Sequence, residues 1–246
     1  MMKKAYPLIL LMTAILLAPI AISVATEERA AEHDALIAKI EAGVRLTRGE
    51  LGRNHLHPNV IKAMRDVPRH EFVPQSYQRQ SYFDRPIPIG HGQTISQPYI
   101  VAIMTDLIDP EPGDKVFELG TGSGYQAAVL SRIVDKIYSM EIVEPLGKQA
   151  KAKLKQLGYD NIEVTIGDGY HGRPDVGPFD AIVVTAAGDH IPPPLVRQLK
   201  PGGKMIIPVG SSFFTQQLML VTKGLDGSVG TQSTLPVRFV PLTGKH

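Results

Sequence analysis

Apolar residues recur along this chain with two different periods, and the change from one to the other divides it. In residues 27–46 the positions Leu36, Ile37, Ile40 and Val44 share one side of a 3.6-residue repeat, with charges on the other, which predicts an amphipathic helix. A second helical piece follows Pro58, with Val60, Ile61, Met64 and Val67 apolar. Residues 68–74 then stop regular structure, and 82–93, carrying Pro86, Pro88, Gly90 and Gly92, reads as a loop. A long irregular stretch inside a compact domain is usually a binding element. A third helix starts near Pro98, with Ile100, Ile103, Met104, Leu107 and Ile108 on its apolar face.

From residue 115 onward, short apolar runs alternate with helical segments. Strands are expected at 116–119, 136–141, 162–166, 180–185 and 204–209, with helices at 127–133, 146–157 and 195–199 between them. That alternation implies an α/β fold with a parallel, doubly wound sheet and ligands at the carboxyl ends of its strands. Residues 217–222 and 236–240, separated by 224–230, read as a strand pair that closes one edge antiparallel.

Candidate chemistry concentrates in 115–126, KVFELGTGSGYQ. An apolar strand runs into Gly120, Gly122 and Gly124 on alternate positions, and a helix follows at once, so the glycines permit a tight turn and a close ligand approach. The spacing also satisfies a loose dinucleotide fingerprint. Glu118, two residues before the first glycine, tilts the choice: a carboxylate aimed into the turn suits the amino group and sulfonium of S-adenosylmethionine better than a pyrophosphate. Glu141, about 20 residues beyond the glycines at a strand end, is placed to accept from ribose hydroxyls.

Composition adds two constraints. Lys3 and Lys4, an apolar run at 8–22 and the small residues Ser23, Val24 and Ala25 make residues 1–25 read as a signal peptide cut after Ala25, with an uncleaved anchor as the alternative. A periplasmic or secreted protein is expected, or a membrane-anchored or cytoplasmic one if the true start lies further along. Lys3 and Lys4 are the only charges in that segment, so the remainder carries 24 basic residues, the 26 of the full chain less these two, against 24 acidic. A balanced charge gives no support for a nucleic-acid partner. Without the leader, a monomer with no stable membrane association is expected. The absence of cysteine excludes disulfides, a thiol nucleophile and a thiolate metal site. His55-x-His57 lacks a third ligand nearby, and no metal is expected.

With these pieces placed, several separated motifs in order make the chain resemble the protein-L-isoaspartate (D-aspartate) O-methyltransferase family over roughly residues 45–243. They are Val67-Pro68-Arg69 with Phe72-Val73-Pro74; Tyr82 and Asp84-x-Pro86; the 89–98 run with Gln93-Thr94-Ile95-Ser96; the 118–125 glycine loop; Gly167-Asp168-Gly169; Phe179-Asp180-Ala181-Ile182; and Arg238-Phe239-Val240-Pro241-Leu242. The resemblance implies a Rossmann-like, S-adenosylmethionine-dependent methyltransferase domain at 93–246, preceded by an N-terminal helical and substrate-loop segment at 26–92. It implies methyl transfer to the free α-carboxylate of L-isoaspartyl residues in damaged proteins or peptides, whose ester then collapses to a succinimide. Ser96 takes the catalytic position; Gly120, Thr121, Gly122, Gly124, Glu141 and Asp168 take cofactor positions beside Glu118; Thr94 and Ile95 line the substrate channel.

Some roles stay open on the residues alone. Ser96 could instead cap the helix that begins near Pro98. Asp84 could shape the substrate loop or only cap it, and Arg238 could steer a substrate carboxylate or tie down the tail through a salt bridge. The same scaffold could serve a different methyl acceptor, or a non-catalytic binding protein. A carboxylate acceptor with an ordinary pKa of about 4 is already ionised at neutral pH, so no general base is required.

Overall fold

The computed structural model describes residues 9–211 and 214–244, with side chains from residue 27 onward. The proposed leader, residues 1–25, lies outside the described side chains. Helix α1 (Ile9–Leu46) runs through that boundary, and its core positions Leu36, Ile37, Ile40 and Val44 are all buried, as the periodicity predicts. A short α2 (Arg48–Leu51) precedes α3 (Pro58–Asp66). His57 caps α3: its Nδ1 accepts the Asn59 N–H at 3.2 Å, ahead of a proline at the first helical position.

Residues 68–80 hold two 3₁₀ turns, Arg69–Phe72 and Gln75–Gln80. The stretch expected to be a loop at 82–93 contains a hairpin instead, β1 (Ile87–Gly90) with β2 (Gln93–Ile95), in which Ile87 faces Ile95 and Gly90 faces Gln93. His91 and Gly92 form its two-residue turn, both with positive φ, at 53° and 71°. A double left-handed turn matches the twist of the flanking strands. Helix α4 (Pro98–Leu107) follows.

The main sheet has seven strands: β3 (Lys115–Leu119), β4 (Lys136–Glu141), β5 (Ile162–Ile166), β6 (Phe179–Val184), β7 (Leu199–Val209), β8 (Gln216–Lys223) and β9 (Val229–Val237), in the order β5-β4-β3-β6-β7-β8-β9. The pairs from β5 to β7 are parallel, and β8 and β9 are antiparallel. The last strand therefore begins earlier than the expected 236–240. Its first five residues are exposed and polar or small for the most part, which hides it from a hydrophobic pattern.

Alternation along each strand sorts the core into two layers. Val116, Ala181, Val183 and Ile206 pack with α1, α3, α4 and α5 (Tyr125–Leu130), while Phe117, Leu119, Ile182, Val184, Met205 and Ile207 pack on the opposite face with Leu195 of α7 (Pro193–Arg197). Helix α6 (Glu144–Gln156) returns from β4 to β5, with Leu154 in the first layer. The chain builds outward from β3 to β4 and β5, then crosses to β6 on the other side. This reversal opens a crevice at the carboxyl ends of β3 and β6, where ligands bind in open α/β sheets.

Candidate active site

The glycine loop leaves β3 in that crevice and is held from both neighbouring strands. From β4, the Glu141 carboxylate accepts the Gly122 N–H through Oε2 at 2.8 Å and the Val143 N–H through Oε1 at 2.9 Å. From the end of β6, the Thr185 hydroxyl donates to the carbonyls of Gly120 at 2.6 Å and Leu119 at 3.0 Å. Gly120 has φ 97°, and a Cβ there would lie 2.3 Å from Thr185 Oγ1, so only glycine fits. Gly122, also at positive φ, faces the hairpin, where its Cβ would come 3.6 Å from Ile89 Cδ1.

A cavity runs over this loop, walled by Leu119–Ser123, Met140–Val143 and the backbone of Gly167 and Gly169, and roofed by residues 240–243 and the 93–96 segment. Among the described residues Glu141 is the only charged side chain lining it, and no lysine or arginine of theirs contributes to the wall. A carboxylate beside apolar strand ends suits a hydroxyl-bearing, positively charged ligand. The geometry thus separates the two ligands that the glycine spacing alone leaves open.

A second cavity adjoins the first, lined by Pro86, Gln97, Ile100, Thr215 and residues 236–239. Thr94, Ser96, Thr185 and Val240 line both, and form the seam between them. Arg238 lies on the second cavity, exposed and with no ion pair or hydrogen bond among the described residues. The salt bridge considered for it is not formed among the described residues. Its segment is fixed next door by the buried Gln216, whose Oε1 accepts the Phe239 N–H at 2.9 Å and whose Nε2 donates to the carbonyls of Ser211 and Phe214 at 3.1 and 3.0 Å.

Ser96 is not a cap. The N-cap of α4 is Gln97, which makes no side-chain cap bond. The anchoring role falls to Asp84, whose Oδ1 accepts the Tyr99 N–H and whose Oδ2 accepts the Gln97 side-chain amide, both at 2.9 Å. Asp84 lines neither of these cavities and holds the start of α4, the capping alternative of the two roles considered for it. Ile95 is buried but reaches the first cavity, and Thr94 is exposed at the seam.

One further assignment changes. Glu118 does not face the ligand. It shares a strand face with Val116, so its side chain points beneath the first helical layer; it is wholly buried and accepts a short hydrogen bond from Ser139 Oγ, which also pairs with Thr121 Oγ1 at 2.6 Å. Burial pushes its carboxyl up to about 8, with nearby Glu141 adding to the rise. Thr121 accordingly offers the cavity its backbone while its hydroxyl turns inward to Ser139. Asp168 accepts the Tyr170 N–H at 3.0 Å and caps a 3₁₀ turn, and a Cβ on Gly244 would lie 2.3 Å from its Oδ2. Its neighbours Gly167 and Gly169 line the cavity, so Asp168 stands at its edge.

Comparison with known proteins gives the arrangement a context. The family model described as protein-L-isoaspartate(D-aspartate) O-methyltransferase matches residues 49–246. The chain is 60% identical over 211 residues to protein-L-isoaspartate O-methyltransferase 2 of a Polaromonas species, covering 86% of this chain and all of that one. It is 53% identical over 238 residues to protein-L-isoaspartate O-methyltransferase 1 of Cupriavidus necator, covering 96% of this chain and 92% of the relative. Among solved structures, a protein-L-isoaspartate O-methyltransferase of Plasmodium falciparum in complex with S-adenosyl-L-homocysteine superposes with a TM-score of 0.69 at 25% identity, covering 86% of this chain and 98% of that one.

Two outcomes follow from the loop. Gly120→Ala should destabilise the fold by about 1–3 kcal/mol, since it combines backbone strain with the Thr185 clash, and should weaken S-adenosylhomocysteine binding; urea unfolding and calorimetric titration read the two effects. For Glu118, the folded protein keeps a proton between about 4.5 and about 8 that the unfolded chain has released, so stability falls as pH rises through this window. Glu118→Gln cannot ionise and should flatten that fall, measured as urea midpoints at about pH 5 and about pH 9 in both proteins.

Proposed function

The chain belongs to the protein-L-isoaspartate(D-aspartate) O-methyltransferase family, and on that premise we propose how its two cavities divide the reaction. It is a repair enzyme that transfers a methyl group from S-adenosylmethionine to isoaspartyl residues of damaged proteins. The cofactor supplies an electrophilic methyl on a sulfonium. Gly120, Thr121 and Gly122 would pack against it through backbone, with Glu141 accepting from its ribose hydroxyls by the lone pairs that Gly122 and Val143 leave free. Gly124, expected at the cofactor, lines neither cavity and instead donates its N–H to the Thr121 carbonyl at 2.8 Å and packs against Leu154.

The second cavity receives the acceptor. Arg238, a guanidinium with no acidic partner among the described residues, draws in the substrate carboxylate, and Ser96 at the seam orients it by donating a hydrogen bond. Thr94 and Ile95 support the same wall. The observation that carries this division is the sharing of Thr94, Ser96, Thr185 and Val240 by both cavities: an in-line transfer needs donor and acceptor to meet at one narrow place. An anionic acceptor and a cationic donor lose charge as the new bond forms. A seam of neutral side chains that excludes water favours that change, because it solvates the separated charges less well than water does.

A leader of residues 1–25 remains part of the proposal. Every core position named on α1 lies at or beyond Leu36, so a cut after Ala25 would leave those contacts in place. Cell fractionation with sequencing of the mature N-terminus should find Thr26 first and the protein outside the cytoplasm; a chain starting at Met1 in the cytoplasm would refute export.

For the reaction itself, purified protein is incubated with labelled cofactor and matched peptides containing isoaspartate or aspartate. Base-labile methyl should enter the isoaspartyl peptide alone. One hydrogen bond to a charged group contributes about 1.5–3 kcal/mol, so Ser96→Ala should lower turnover about 10- to 150-fold with S-adenosylhomocysteine affinity nearly unchanged. An equal loss of cofactor affinity would remove Ser96 from the acceptor side.

A further inference from the structure

We propose that Arg69 is the positioning residue of the acceptor site, a single guanidinium that gathers three carbonyls of the 81–96 segment and so sets where Ser96 stands. The proposal rests on the acceptor role of Ser96 given above. Arg69 has no exposed surface. Its Nε donates to the Ser81 carbonyl at 2.9 Å, and its Nη2 donates to the carbonyls of Ser96 at 2.8 Å and Arg85 at 3.4 Å. The bonded residues stand at the start, the interior and the end of the stretch that carries Asp84, the hairpin and Thr94. One rigid plane therefore ties both ends of the segment together.

The other face of the same group meets the cofactor side. Its Cζ lies 4.9 Å from the ring centroid of Tyr125, the residue that follows Gly124 and lines the first cavity. Arg69 thus touches the acceptor segment and the glycine loop's own helix at once, while reaching neither ligand.

Burying a guanidinium carries a large desolvation cost that the bonds it makes must offset, and an apolar replacement would leave the three carbonyls it holds without that partner. No carboxylate bonds to Arg69, since Asp84 is engaged by Gln97 and Tyr99, and Nη1 has no hydrogen-bond partner among the described residues. Burial lowers its pKa only to about 10, so it stays charged at neutral pH. What the charge obtains is three carbonyls that turn and strand geometry leave without partners of their own, held in a planar fork that lysine cannot reproduce.

The test compares wild type, R69K and R69Q with S96A and the R69K/S96A double variant. Four quantities are measured: S-adenosylhomocysteine affinity, kcat and KM for the isoaspartyl peptide, and hydrogen exchange over residues 81–96. R69K should bind the cofactor product within about twofold of wild type, exchange faster across 81–96, and lose roughly 10- to 100-fold in kcat/KM for the peptide, the scale of a displaced reacting group. R69Q should lose more. Because Arg69 acts through Ser96, R69K should cost little further activity once the Ser96 hydroxyl is gone. Additive losses, parallel loss of cofactor affinity, wild-type turnover in R69K, or failure of both variants to fold would each overturn the proposal. If wild type leaves the isoaspartyl peptide unmethylated, the reaction assignment fails instead, and the exchange and affinity comparison still decides whether Arg69 holds the segment.

Discussion

The glycine loop at the end of β3 cannot hold its own shape. Three of its residues have left-handed backbones, and a bare turn of glycines would be the most mobile part of the crevice. It is fixed by one side chain from each flanking strand: Glu141 of β4 takes the Gly122 amide, and Thr185 after β6 takes the Gly120 and Leu119 carbonyls. Both clamps exist only because β4 and β6 are the two neighbours of β3. The strand order that makes the crevice therefore also supplies the bonds that rigidify it. The same clamps exclude a Cβ at Gly120, so close packing and loop conformation are one constraint.

Around that loop, charge is sorted by depth. Glu118 lies directly beneath, bonded to Ser139 and driven towards its neutral form by burial, and contributes no ionic attraction at the cavity surface. Glu141, one strand over, is the charged side chain at the wall. Arg238 stands on the second cavity, and the seam between the two is built from hydroxyl and aliphatic groups. On the proposed division of the reaction, the acid and the guanidinium bind the two charged reactants, and neutral side chains where they meet avoid a fixed charge that would favour keeping them apart.

Much of this was legible in sequence, for definable reasons. The parallel strands were readable because their buried runs are nearly continuous, and the buried face of α1 because its period is regular. The glycine loop was located because three alternating glycines are costly elsewhere, whereas the 93–96 segment was singled out only by the family resemblance. What stayed hidden depended on direction. Glu118 was expected to face the ligand, but on a strand a shift of one residue exchanges the two faces, and the sequence does not say which layer covers which face. Asp84 stayed open between shaping the loop and capping, because its partners Gln97 and Tyr99 lie 13 and 15 residues away and meet it only in the fold. The hairpin at 87–95 escaped because prolines and glycines mark both loops and two-residue turns. Arg69 was visible only as a motif letter; its role depends on three carbonyls that come together in space.

The two cavities are also joined through the chain itself. Residues 236–239 wall the second cavity, and 240–243, the next four, roof the first. This one extended segment is fixed at three points: β9 pairs with β8 as far as Val237, Gln216 takes the Phe239 amide, and Ala187, just past β6, donates its N–H to the Val240 carbonyl while its own carbonyl accepts from Leu242. Val240, where the two stretches meet, lines both cavities. Arg69 links the same two sites from the opposite wall, between Ser96 and Tyr125. The seam is thus framed by one covalent connection and one hydrogen-bonded connection, each spanning donor and acceptor. A loop on either side that moved independently would spoil the in-line approach, whereas walls shared by both sites keep the two ligands in register even though no catalytic base is needed to join them.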